Sequence, residues 1–150
     1  MNQSQFLRGF TIFEVLIVIA LGILLVALTL PVGVRFYQAQ VVDETTTEVL
    51  GALVGAARES RLGKNDHAFG VKFFSDHYVV FEGDQYASRI ITEDQTVQFP
   101  GGTIIGILNP EIDFAKVSGI PNVNETLSLS VYGVTHVIDI SGVGVITQIN

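Results

Sequence analysis

Gly9-Phe10-Thr11-Ile12-Phe13-Glu14 runs directly into Val15-Leu16-Ile17-Val18-Ile19-Ala20-Leu21-Gly22-Ile23-Leu24, and the architecture depends on what this stretch can and cannot do. From Val15 to Leu30 only Gly22 and Thr29 are not apolar. Continued to Val34, the segment makes roughly 30 Å of helix, about the thickness of a bilayer's hydrocarbon core. It can cross a membrane. Three readings then compete: a secretory signal cut after the apolar stretch, a plain anchor, or a leader cut before it. Ala27-Leu28-Thr29 is a poor signal-peptidase site and is soon followed by Pro31. A plain anchor has no use for Glu14, because an acid inside an apolar helix costs about 2.5 to 3.5 kcal/mol even on lenient insertion scales. Cleavage after Gly9 makes Phe10 the new N-terminus and sets a cation at the depth where an anion wants a partner.

These residues resemble the prepilin signature of type IV pilins and type II secretion pseudopilins: a short leader ending in Gly, then Phe, then Glu at the fifth mature position, then an unbroken apolar helix. Pro31 stands where many members of that family carry a helix-kinking proline, whereas Gly22 lies one position earlier than their common helix glycine. The resemblance implies that a prepilin peptidase cuts after Gly9 and that the Phe10 amine is methylated. It also implies that Glu14 pairs with the Phe10 ammonium of a neighbouring subunit during assembly. Within one straight helix the carboxylate is badly placed to close on its own N-terminus. A buried pair adds little net stability, but an unpaired buried charge is strongly unfavourable, so Glu14 is expected to set register. The competing reading is a carboxylate that snorkels to the headgroups.

Past Pro31, which removes a backbone donor and is expected to kink the helix near Ala27, the pattern changes. Val42, Thr46, Val49, Leu53 and Ala57 fall on one helical face, while Asp43, Glu44, Thr47, Glu48, Arg58 and Glu59 fall opposite. Arg58, Arg61 and Lys64 near the end suit the helix dipole, and Gly63 is a natural stop. A helix over residues 10–62 is expected, its second half packed on the C-terminal remainder of the chain.

Beyond Gly63 the period is two. Strands are expected at 68–74, 78–83, 96–99, 103–108, 112–116, 126–132, 134–140 and 143–149, with Leu127, Leu129 and Val131 buried and Ser128, Ser130 and Tyr132 facing water. Short connections such as Ser75-Asp76-His77 and Gly133 favour antiparallel pairing. The fold class is therefore α+β, a pilin-like plan of a long kinked N-terminal transmembrane helix on an antiparallel β domain. Its organisation is a leader at 1–9, a transmembrane and assembly helix at 10–34, an amphipathic half at 35–62 and the β domain at 63–150. Ala57-Arg58-Glu59-Ser60-Arg61 leading into Phe69-Gly70-Val71-Lys72-Phe73 is similar to the H-type minor pseudopilins and related minor pilins.

Charge and composition narrow the chemistry. Eight basic residues face fifteen acidic ones, for a net charge of −7, a balance that repels phosphate backbones and disfavours nucleic acid as a partner. With no cysteine, thiolate metal sites, cysteine nucleophiles and disulfides are excluded. Asp66-His67 and Asp76-His77 border one strand about 20 Å long, too far apart to share an ion, and are read as exposed turn residues. His136 and Asp139, at i and i+3 of a strand, point to opposite faces. Glu82, Asp84, Glu93 and Asp94 bracket a loop that calcium could occupy, but their spacing matches no ordered calcium loop, so a solvated acidic loop is expected. No nucleophile elbow, phosphate loop or dinucleotide fingerprint is present, so no catalytic residue, metal or cofactor is expected.

The expectation is a minor pseudopilin of a type II secretion system, anchored in the cytoplasmic membrane with its C-terminal domain outside the cytoplasm and then drawn into a helical filament. Arg8 agrees with positive-inside orientation. The expected partners are other pilin or pseudopilin subunits, the prepilin peptidase, an inner-membrane assembly platform and membrane lipid. The alternatives are a minor pilin of a type IV pilus, serving adhesion, motility or DNA uptake, and a membrane-anchored binding module that never polymerises.

Overall fold

The computed structural model describes residues 10–149, so the leader and the cleavage position Gly9 lie outside the described residues. Helix α1 runs from Ile12 to Leu62, with Pro31 inside it. The described residues fall into two compact units divided between Tyr37 and Gln38. In the first, an 18-residue window of α1 has a mean hydropathy of 3.0 and none of it is buried, so the helix is long and apolar enough to cross a membrane. Phe13, Leu16, Ile23 and Leu25 are all exposed. Burying that surface requires lipid or another protein, because water solvates apolar groups poorly.

In the second unit α1 is amphipathic. Val42, Thr45, Thr46, Val49, Leu53, Ala56 and Ser60 are buried, a stripe stepping by threes and fours. Thr45 and Thr46 tolerate burial because each hydroxyl donates to the carbonyl four residues back, at 2.7 Å. The stripe leaves the expected line at its end, where Ala56 and Ser60 are buried in preference to Ala57. Ser60 explains the turn of the face, since its hydroxyl accepts the Phe69 N–H at 2.8 Å and its carbonyl accepts the Val117 N–H at 2.8 Å. It fixes the start of the first strand on the helix. Gly63, at φ 62° and ψ 34°, then ends α1 in the left-handed conformation.

All eight expected strands form: β1 (Phe69–Phe73), β2 (His77–Glu82), β3 (Gln95–Gln98), β4 (Thr103–Gly106), β5 (Glu111–Phe114), β6 (Glu125–Val131), β7 (Val134–Ile140) and β8 (Ile146–Ile149). They make two four-stranded sheets, ordered β3-β2-β1-β5 and β4-β6-β7-β8, and every pairing is antiparallel. The β domain is thus two sheets where the strand pattern suggested one, because β4 pairs forward with β6 while β5 reaches back to β1. Val49, Leu53 and Ala56 share one core with Val71, Phe73, Ile112 and Phe114 of the first sheet and Leu127, Leu129, Ile138 and Ile140 of the second. The helix is the element against which both sheets bury their apolar faces. As the alternation predicts, Leu127, Leu129 and Val131 are fully buried and Tyr132 is exposed.

Candidate functional site

At the N-terminal end, Thr11 precedes the first helical residue and its hydroxyl accepts the Glu14 backbone N–H at 3.2 Å. Thr11-Ile12-Phe13-Glu14 therefore has the spacing of a capping box, in which Ser or Thr satisfies a free helical donor and Glu stands three residues on. A first-turn carboxylate also suits the positive end of the helix dipole. Glu14 thus has a local reason to be where it is, one that the sequence pattern contained and that competes with pairing to a neighbour. Phe10 is 80% exposed, an apolar side chain left uncovered by the described residues.

The polar clusters of the β domain resolve into structural roles. Asp66 meets Lys116 at 2.5 Å, and that hydrogen bond and charge hold its carboxyl below the usual range. His67 does not join it. Its Nδ1 lies 2.7 Å from Glu82 Oε1, while Asn65 Nδ2 donates to Glu82 Oε2 at 3.0 Å. Glu82 is 3% exposed, so the turn after α1 exists partly to supply two partners to a buried carboxylate. Asp76 and His77 pair with each other at 2.7 Å at the opposite end of β1. His136 faces the helix, 3.6 Å from Asp43 and 3.0 Å from Gln148, and Asp139 lies on the other face beside Thr126, as the alternation requires.

The acidic loop is solvated at Asp84 and Glu93, as expected, and is pinned to the first sheet through Tyr86 and Arg89. Arg89 stacks 3.7 Å from the centre of the Tyr86 ring, and its Nε reaches both oxygens of Asp94, at 2.8 and 3.1 Å. Tyr86 in turn packs edge-on against Phe81 and Phe74. Phe81, 1% exposed, lies across β1 at Gly70, where any Cβ would overlap its ring. The acidic composition of 82–94 concealed this because one arginine and three aromatic side chains decide the loop's conformation. Among the described residues, no three His, Asp or Glu side chains converge as metal ligands.

Two titrations are displaced furthest. Asp113 is pushed up to about 6 by burial and by the nearby Glu111 and Asp84, against the pull of Lys72. Its Oδ2 accepts from Asn122 at 2.9 Å, but its Oδ1 is buried without a partner. Tyr78 is pushed up to about 12 by burial and by the charge of Glu48. It lines a cleft of about 300 Å³ between α1 and the first sheet, which also includes Gly51, Gly55, Gln95 and Val97. No motif in the sequence marks this cleft, since its residues are brought together only by packing.

No family model matches the chain, and no curated protein or solved structure matches it either. The structure provides a long apolar N-terminal helix whose second half packs on antiparallel sheets, compatible with a pilin-like layout.

Proposed function

We propose that the chain is a pilin-like filament subunit, in first place a minor pseudopilin of a type II secretion system, processed after Gly9 and anchored by α1 before assembly. The observation that carries this reading is one of continuity. The same helix that follows Phe10 and carries Glu14 in its first turn stays uncharged and almost wholly apolar for a membrane's thickness and then becomes the amphipathic support of an antiparallel β domain. The exposed apolar surface of its first half suits exchange between lipid and the helices of neighbouring subunits, both of which are apolar. Head-to-tail contacts of this kind do not close and so propagate as a fibre. The role is structural, with no reaction assigned to the chain.

Glu14's place in the first turn favours a second reading, a membrane-anchored module that does not polymerise, because a carboxylate at the positive end of the helix dipole has a local role without a neighbour. Leader processing separates the prepilin-like readings from an ordinary anchor. In cells carrying a prepilin peptidase, the mature chain is expected to begin at N-methylated Phe10, and Gly9→Leu is expected to remain uncut. A mature N-terminus elsewhere, by mass spectrometry of the purified chain, overturns the assignment.

A further inference from the structure

The cleft beside Tyr78 is built like a binding site, and neither the membrane helix nor the core makes use of it. Its floor is the small-residue stretch of α1: a Cβ added at Gly51 or Gly55 would meet nothing within 4 Å. One wall is Tyr78, Val80, Gln95 and Val97, which the register of β2 and β3 places on the same face of the sheet. Along the rim stand Glu48, Glu59 and Glu93, against the single cation Lys64, which already pairs with Glu59. Glu48 and Glu93 have no ion-pair partner among the described residues.

A second, independent feature points into the cleft. Tyr78 is 2% exposed as a residue, yet its hydroxyl opens into the cleft and has no hydrogen-bond partner among the described residues. A tyrosine packed this deeply normally sets its hydroxyl against a protein partner. β3 is also an edge strand, with no other strand on its outer side among the described residues. A chain segment laid along such an edge pairs with its free backbone groups and directs alternate side chains toward the helix.

We propose that the cleft binds an extended segment of a different protein, which lies along β3 and inserts an arginine or lysine side chain between Gly51 and Gly55 to reach the Tyr78 hydroxyl and the Glu48 carboxylate. Charge selects this occupant. The aliphatic stem of a basic side chain suits the apolar floor, and its head neutralises a net negative rim. A second copy of this chain is a poor donor: Lys64, Lys72, Arg89 and Lys116 are already ion-paired, Arg61 donates to the Ser118 carbonyl, Arg35 and Arg58 lie within helix α1 and not on an extended segment, and the chain as a whole is strongly acidic. The site is independent of whether the chain polymerises.

The test uses the full chain in detergent micelles and three fluorescent pentapeptides that differ only at a central Arg, Gln or Glu between Val and Thr residues, titrated by anisotropy. The Arg peptide is expected to bind about tenfold more tightly than the Gln peptide, the discrimination a charge-assisted hydrogen bond supplies, and the Glu peptide more weakly still. Glu48→Gln and Tyr78→Phe should each bring the Arg and Gln peptides to within about twofold of one another. Gly51→Leu fills the floor with a better helix former and should abolish binding while leaving the melting temperature unchanged or higher. Equal affinity for the Arg and Gln peptides, or undiminished binding to Gly51→Leu, overturns the proposal. So does sedimentation showing that the chain alone self-associates and that Gly51→Leu abolishes this, which makes a second copy the occupant.

Discussion

Glu14 is the position at which a local and an intermolecular explanation diverge in size. As a capping residue it contributes through the helix terminus, where a first-turn carboxylate is worth about 0.3 to 1 kcal/mol. The Thr11 hydroxyl that accepts the Glu14 N–H at 3.2 Å is worth about 1 kcal/mol. As the partner of a neighbour's Phe10 ammonium it is worth far more, since removing one member of a buried pair strands the other at a cost of about 3 to 5 kcal/mol. At 1.4 kcal/mol per decade this is a loss of roughly two to three and a half orders of magnitude in the subunit association constant. Glu14→Gln keeps the length and hydrogen-bonding capacity of the side chain and removes only the charge. Thr11→Val removes the cap and leaves the carboxylate in place. Membrane fractions of cells expressing each variant are sheared, and the sedimenting filament is quantified against the chain that stays in the membrane. Glu14→Gln is expected to insert and to be processed normally, yet to be depleted from the filament by at least tenfold, whereas Thr11→Val assembles almost as well as the parent. If Glu14→Gln assembles normally, or if the two variants are equally defective, the carboxylate acts at its own helix end and the pairing with a neighbour is refuted.

The β domain offers three further measurements. Leu53→Ala, which opens space where both sheets meet α1, should cost about 3 kcal/mol and lower the melting temperature by roughly 10 to 15 °C, whereas Val54→Ala, on the exposed side, should cost under about 1 kcal/mol. Asp113 has a folded-state pKa of about 6, above its ordinary 3.8, so its contribution to stability is fully present below pH 3.8 and is lost as pH rises through 6. Removing its charge with Asp113→Asn should therefore make the melting temperature less sensitive to pH across this window, and an unchanged pH profile refutes the assignment. Arg89→Lys gives up the stack on Tyr86 and the two-oxygen contact with Asp94, so amide exchange at Ile90, whose N–H donates to the Glu82 carbonyl at 2.9 Å, should accelerate by about tenfold while exchange in β6 and β7 does not.

Local chemistry alone carries much of this fold. Nothing but a helix satisfies the backbone of a segment as apolar as Val15–Leu30, so α1 is legible from composition, and Gly63 marks its end because few other residues adopt the left-handed conformation there. Period-two alternation places every strand, and at Leu127, Leu129 and Val131 it identifies the buried face residue by residue. The capping box at Thr11 and Glu14 is equally local, a matter of spacing along one turn.

Tertiary packing decided what no window of sequence contains. Strand partners are chosen by which faces can be buried together, so β4 and β5, close in the chain, enter different sheets. The helix stripe ends on Ser60 because Phe69, just past the turn, and Val117, far along the chain, both come to it, and Glu82 is tolerable inside only because Asn65 and His67 turn back onto it. The cleft at Tyr78 belongs to the same class: its glycines, its hydroxyl and its carboxylates are scattered through the chain and acquire a common purpose only when a helix and a sheet edge are set side by side. Alternation and capping act over a few residues and can be read there, whereas burial and charge compensation are sums over neighbours that exist only once the chain has folded.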